Sequence, residues 1–483
     1  MNWRFIGRTI GVLLVLLGVS MAAPLGTAVF FHDGATLLFL DAMGLTLGAG
    51  LILILMSQAL DPTAYISQQA GMATVALAWV AVCLFGALPF YLSPDFTTLA
   101  DAVFESVSGF TTTGSSVMTQ IEAAAKSLLL WRSLIQWLGG MGIIVLSLAV
   151  LPFLGVGGIQ LYRAEVPSPV PDKLTPRLSD SAKILWMVYL GFTLLEILML
   201  YAGGMGVYDA INHAFTTMPT GGFSTRNASI AAYNSVYFDY VIVLFMVLAG
   251  INFSLHYQLL RGRPLVFWRD SECRFFLILA LTLTLVMTWD LWGGVYDRFT
   301  DALRYASFQV VSIITTTGYA TADYEKFPGL SQVLLLLCMF IGASAGSTGG
   351  GIKCARIMVC CKYCYREVFK ILHPRSVSQV SINGYPVSDA LIRSIMGFLG
   401  LYLGIYVISS VLLAALGMDL MTSLGAVAAC IGNIGPGFGS VGPAENFAHL
   451  PAAGKWLLSW CMLAGRLEIY TIIILFAPEF WKG

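Results

Sequence analysis

Four segments of this chain follow one order: an acidic residue, an apolar stretch, then a glycine among Thr, Ser or Asn. They run Asp101 to Gly114, Asp209 to Gly222, Asp301 to Gly318 and Asp419 to Gly435, each lying between two long apolar runs. From acid to glycine is 13, 13, 17 and 16 residues, and the glycines stand 108, 96 and 117 apart. A fourfold repeat of this kind implies one chain folded around one axis. Each segment is too short to cross a bilayer, which takes ~20 residues, and too apolar for an ordinary loop. The reading that fits is a half-helix entering a membrane and returning through a glycine-containing loop, the layout of an ion pore.

The rest of the chain suits that setting. It is 58% hydrophobic and only 11% charged, where soluble domains carry about 25% charged residues. Apolar runs near 8–31, 37–60, 69–92, 128–151, 184–205, 237–260, 275–295, 330–346, 393–416 and 456–478 predict ten spans. The expected class is therefore an all-α polytopic membrane protein in contact with lipid. Arg4 and Arg8 followed by an apolar run imitate a signal peptide, but with nine more spans following, a retained first helix is expected. With both termini inside, the loops at 152–183, 261–274 and 354–393 and the termini hold 17 of the 26 Lys and Arg. That bias predicts cytoplasmic termini and puts the four glycine loops on the outer side. Arg132, Arg304 and Lys455 are among seven basic residues assigned to the outer face. The zero net charge says nothing about partners, and no nucleic-acid partner is expected.

Cys83, Cys338, Cys430 and Cys461 lie in apolar segments, as small hydrophobes do. Cys361 and Cys364 have a zinc-like spacing, but no second pair or nearby histidine follows, so reduced thiols are expected. No H-E-x-x-H or G-x-S-x-G occurs, and the histidines are five and scattered, which argues against an enzyme.

Backbone carbonyls can replace the water shell of an ion in a narrow pore. Turning successive carbonyls to one axis needs angles that glycine adopts without steric cost, and neighbouring hydroxyls can add an oxygen or brace the loop. The candidates are Thr112, Thr113 and Gly114; Thr220, Gly221 and Gly222; Thr316, Thr317 and Gly318; and Asn433, Ile434 and Gly435. Helix C-termini leading into these loops carry partial negative charge, which favours a cation. Asp101, Asp209, Asp301 and Asp419 stand where N-caps are expected, with an ion-attracting outer ring as the alternative.

These residues resemble the TrkH/TrkG branch of the Trk/Ktr/HKT potassium-transporter superfamily. The match extends through W137-L-G-G-M-G-I-I-V145, L154-G-V-G-G-I-Q-L-Y-R-A-E165, G221-G-F-S-T225, A345-G-S-T-G-G-G-I-K353 and G465-R-L-E468. The resemblance implies four membrane helix–pore half-helix–filter loop–membrane helix units around one pore, plus two extra N-terminal spans. The divisions drawn on it are 1–68 for the extra spans, then 69–160, 161–262, 263–372 and 373–483 for the repeats. It further implies a homodimer in the bacterial cytoplasmic membrane with a cytosolic ring of RCK-type, TrkA-like nucleotide-binding subunits. Glycine at all four filter positions goes with K+ as the ion bound and transported, whereas serine in the first filter of some plant relatives goes with sodium. Met218-Pro219 before the second filter departs from the pattern. Channel-like and proton-coupled flux (symport) both stay open, as do a sodium-conducting relative and an ion-coupled carrier of the inverted-repeat type.

Two further features point to a gate. The eighth apolar run is interrupted by Gly346, Ser347, Thr348, Gly349, Gly350 and Gly351, and each helical glycine costs about 1 kcal/mol relative to alanine. Walker-like glycine spacing is present, but Ile352 precedes Lys353 and no Ser or Thr follows it, so nucleotide binding is not expected there. Resemblance makes this the intramembrane loop that closes the pore below the filter; a merely kinked helix is the alternative. Arg466 falls in the middle of the last span, where a charge is a functional candidate. It is expected to reach the pore beneath the filter as an electrostatic barrier, and not to pair with Glu468, two residues on. Lys353, expected to pair with an acid near the gate, and Glu196 are further candidates.

Overall fold

The computed structural model describes residues 3–57, 68–140, 142, 178–376 and 378–482. All ten apolar runs carry helix in these residues. Among the described residues, six helical stretches are long and apolar enough to cross a membrane: Trp3–Phe31, Thr36–Met56, Gln69–Leu92, Lys183–Ala202, Ser271–Leu291 and Asp389–Ala415. The first two pack along each other, and the first also packs on the third. Most of the second half of the W137 motif and the whole L154 motif lie outside the described residues, as does most of the proline-punctuated loop expected at 152–183.

Four short helices stand between the long ones: Leu99–Phe110, Val207–Thr217, Phe299–Ile314 and Leu420–Ile431. In the first, every residue from Ala100 to Phe110 is buried, so its apolar surface faces protein on all sides. The first packs on Ala452–Arg466, the second on Lys126–Gly140 and the third on Val236–Gly250.

Three of the expected spans are not straight helices. The run at 237–260 bends by 99° between Val236–Gly250 and Phe253–Leu260, where the Asn252 side chain accepts from Ser254 N at 2.8 Å and starts a new helix. The run at 330–346 is helical only over Gly329–Cys338; an unwound segment follows, and helix resumes at Cys354–Leu372. The last run bends by 117° after Arg466, with Glu468 and Ile469 at φ 58 and 37. Arg466 therefore ends a helix rather than occupying the middle of one. A β-branched residue in the left-handed region is uncommon, and here it forms the corner.

Candidate ion-conduction site

Each short helix ends in a loop of the same conformation. Thr112, Thr220, Thr316 and Asn433 have φ of 54, 57, 60 and 53, and Gly114, Gly222, Gly318 and Gly435, two residues on, have φ of 86, 73, 79 and 109. The N–H between them returns to the helix: Thr113 N to Ser108 O, Gly221 N to Thr216 O and Thr317 N to Ser312 O, each 2.8 Å, and Ile434 N to Ala429 O, 2.9 Å. Those bonds satisfy carbonyls that a helix end leaves open. They also make the four loops one motif repeated.

The loops close on each other in order. A Cβ placed on Gly114 would lie 2.1 Å from Gly221 O, on Gly222 1.9 Å from Thr317 O, on Gly318 1.8 Å from Ile434 O, and on Gly435 2.9 Å from Thr113 O. Each glycine therefore faces the middle carbonyl of the next loop, and the fourth faces the first. Side chains tie the same neighbours: Tyr319 OH donates to His213 O (3.1 Å), Tyr324 OH to Gly437 O (2.7 Å) and Ser115 Oγ to Gly435 O (2.8 Å). A cavity of about 220 Å³ is lined by all four glycines together with Arg132 and Glu445.

The unwound segment between Gly329–Cys338 and Cys354–Leu372 is anchored rather than loose. Thr348 Oγ1 donates to Met218 O at 2.9 Å, before the second loop, and Gly350 N donates to Thr316 Oγ1 of the third at 2.7 Å. Phe253 N donates to Gly346 O and Ser344 N to Gly250 O, so the segment also seats in the 99° bend. Glu272 Oε1 accepts from Ala345 N (2.7 Å) and Ala355 N (2.9 Å), clamping its two ends. Arg466 Nη1 donates to Thr348 O at 2.8 Å, and Lys353 Nζ donates to Gly349 O. Two cations thus sit on successive carbonyls of the segment.

The chain that carries this repeated, ring-closed loop motif is similar to known proteins over its whole length. Residues 49–482 match the family model TrkH, described as a cation transport protein. The chain belongs to the TrkH family. Its relatives include the Trk system potassium uptake protein TrkH of Salmonella typhimurium, 39% identical with all of both chains covered. Trk system potassium uptake protein TrkG of Escherichia coli is 35% identical over 99% of each. The crystal structure of the potassium transporter TrkH from Vibrio parahaemolyticus superposes with a TM-score of 0.89 at 36% identity, covering all of both chains. The TrkH family is one of transporters, not enzymes, and this member is a multi-pass bacterial membrane protein.

Several sequence expectations fare differently against the TrkH-type geometry. Of the four acids, only Asp419 is a cap: it accepts from Thr422 N at 3.1 Å, and the Thr422 hydroxyl and N–H hold its carboxyl below the usual carboxylate range. Asp101 sits inside the first turn behind the true cap, Thr98, and pairs with Lys455. Asp209 and Asp301 are likewise first-turn residues, and Asp209 is tied to Thr225 and Arg226. Lys353 pairs with no acid among the described residues; a loop carbonyl takes its ammonium instead. Glu468 pairs with Arg356, not Arg466, as the two-residue separation suggested. Glu196 is fully buried behind the second loop, beside Thr217.

Sequence reasoning missed Glu105, Arg132, Tyr319 and Gln136. Glu105 and Arg132 form a buried pair at 2.7 Å, and Arg132 also donates to Ser116 Oγ and Ser224 O. Arg132 and Lys455, counted among the outer basic residues in the sequence, are buried and paired rather than exposed. The available signal was a charged or amide side chain inside an otherwise apolar run, which is rarely tolerated without a partner.

Proposed function

We propose that this chain is the potassium-translocating pore subunit of a Trk-type uptake system. The potassium uptake proteins among its full-length relatives support potassium as the ion. One observation carries the reading of the site: each loop glycine abuts the middle carbonyl of the next loop, around a closed circuit of four. Carbonyls of the Thr112–Gly114, Thr220–Gly222, Thr316–Gly318 and Asn433–Gly435 loops then replace the water shell of K+. The short helices, whose C-termini carry partial negative charge, favour the same sign of ion.

The segment from Gly346 to Gly351, with Lys353 and Arg466, is the gate. Two cationic side chains beneath the filter oppose the entry of another cation, so conduction requires that the segment and Arg466 part. The repeats are bounded as 69–160, 161–262, 263–372 and 373–483, after two extra spans within 1–68. The positive-inside bias supports cytoplasmic termini in the inner membrane, with the glycine loops facing outward. By family likeness the assembly is a homodimer gated by a cytosolic RCK-type nucleotide-binding ring, and nucleotide control acts through that ring.

The test is the reversal potential of the purified protein in planar bilayers under opposed K+ and Na+. A strong K+ preference that collapses in Gly318→Ser is the expected result. Equal permeability to both ions, or a Gly318→Ser variant of unchanged selectivity, would refute the reading.

A further inference from the structure

The second loop differs from the others at its centre. Thr113, Thr317 and Ile434 occupy the middle position of the first, third and fourth loops, whereas the second has Gly221. The threonine side chains are used: Thr113 Oγ1 bonds Thr111 Oγ1 at 2.7 Å and accepts from Asn433 Nδ2 at 3.0 Å, and Thr317 Oγ1 bonds Thr315 Oγ1 at 2.8 Å. Ile434 is buried in apolar packing with Leu335, Cys338 and Ala428. Gly221 has no side chain with which to brace its loop.

Gln136 fills that place from another repeat. It projects from Lys126–Gly140, which precedes the second repeat, and is fully buried. A Cβ on Gly221 would lie 2.5 Å from Gln136 Cδ, 2.6 Å from Oε1 and 2.8 Å from Nε2. Both polar ends are committed to the loop: Nε2 donates to Gly221 O at 2.7 Å, and Oε1 accepts from Phe223 N at 3.1 Å. The two bonds straddle Gly222 and fix the peptides on either side of it. Without them, two consecutive glycines would leave this stretch the least constrained of the four.

We propose that Gln136 is a positioning residue for ion selectivity, standing in for the side chain that position 221 lacks. The inference rests on the filter reading above. Gly221 O is the carbonyl faced by Gly114, one of four middle carbonyls in the circuit. A carbonyl oxygen has two lone pairs, so it can accept from the Gln136 amide and still present one to an ion. The amide also draws on that oxygen's charge, which makes it the weakest of the four ligands. The circuit is therefore fourfold in backbone but not in field strength.

The experiment measures the K+ over Na+ permeability ratio from bi-ionic reversal potentials of the full-length protein in bilayers. Gln136→Ala leaves Gly221 O and Phe223 N without their partner, and is expected to lower the ratio about tenfold. Gly221→Thr alone, in which the new side chain meets Gln136, is expected to lower it as well. The double variant Gln136→Ala/Gly221→Thr rebuilds the Thr-Thr-Gly pattern and is expected to recover most of the ratio. If Gln136→Ala does not reach the membrane, Gln136→Met, similar in volume and without hydrogen-bonding groups, is read in its place. A wild-type ratio in the Gln136 variant, or a double variant no better than it, overturns the proposal. Gly318→Ser run alongside separates the two levels. If it loses selectivity while Gln136→Ala does not, only the Gln136 role falls; if neither changes, the filter reading falls with it.

Discussion

Arg466 holds Thr348 by its main-chain oxygen. One guanidinium nitrogen donates to Thr348 O at 2.8 Å, and the other reaches Gly139 O at 3.0 Å and Gly140 O at 3.2 Å. That side chain thereby ties the unwound segment to the end of the helix Lys126–Gly140. The helix carrying it stops at Arg466, so the guanidinium extends from a helix end into a space ringed by carbonyls. In a setting poor in water these charge-assisted bonds take the place of hydration.

Removing that tie should release the gate. Arg466→Ala is expected to raise potassium flux several-fold in proteoliposomes while the amount of membrane protein stays near wild type. Loss of the protein from the membrane, with no gain in flux per molecule, would mean that the guanidinium is structural.

The Glu272 clamp across the two ends of the same segment gives a graded test. Glu272→Gln keeps the oxygen that accepts from Ala345 N and Ala355 N, whereas Glu272→Leu leaves both N–H groups unpaired. Each orphaned donor costs about 1–3 kcal/mol. The leucine variant should show elevated basal flux and faster amide exchange over 344–355; the glutamine variant should not. Equal behaviour of the two would rule the clamp out.

The four glycines should not be equally sensitive. A methyl at Gly114, Gly222 or Gly318 would sit 1.8–2.1 Å from a neighbouring carbonyl oxygen, but 2.9 Å away at Gly435. All four have positive φ, so every alanine is strained. The expected order of selectivity lost on alanine substitution puts Gly435 last, as read from bi-ionic reversal potentials.

The Glu105–Arg132 pair carries a stability prediction. With both side chains almost fully buried, removing one partner strands a charge and costs about 3–5 kcal/mol. Arg132→Met should lower the thermal midpoint in detergent substantially. Glu105→Met/Arg132→Met should recover part of it, because no lone charge remains. A double variant no more stable than Arg132→Met would mean that the lost contacts to Ser116 and Ser224 dominate.

Much of the architecture was legible because two signals repeat. Each apolar run long enough for a bilayer marked helix, since a backbone in lipid must satisfy its own hydrogen bonds. Recurring glycines marked the four loops, since left-handed backbone favours glycine wherever it occurs. The glycine-rich interruption foretold the unwound segment for a related reason: such a run holds no stable helix without tertiary support.

The bends at Asn252 and after Arg466 were not legible, because neither site carries a proline and each corner is held by contacts with distant residues. The same holds for Gln136 at the second loop and Arg132 beside Glu105. A polar residue in an apolar run announces that it needs a partner, but not which one. By itself, then, the sequence determined that the chain crosses a membrane many times and repeats one helix–loop motif fourfold. Local backbone preference and hydropathy act within a few turns of chain and are written in the residues that obey them. Only the tertiary structure decided that the loops meet in a closed circuit, that Gln136 substitutes for a missing side chain, and that Arg466 rests on Thr348. Those pairings join residues 85 to 320 positions apart, and packing alone selects among the partners that composition allows.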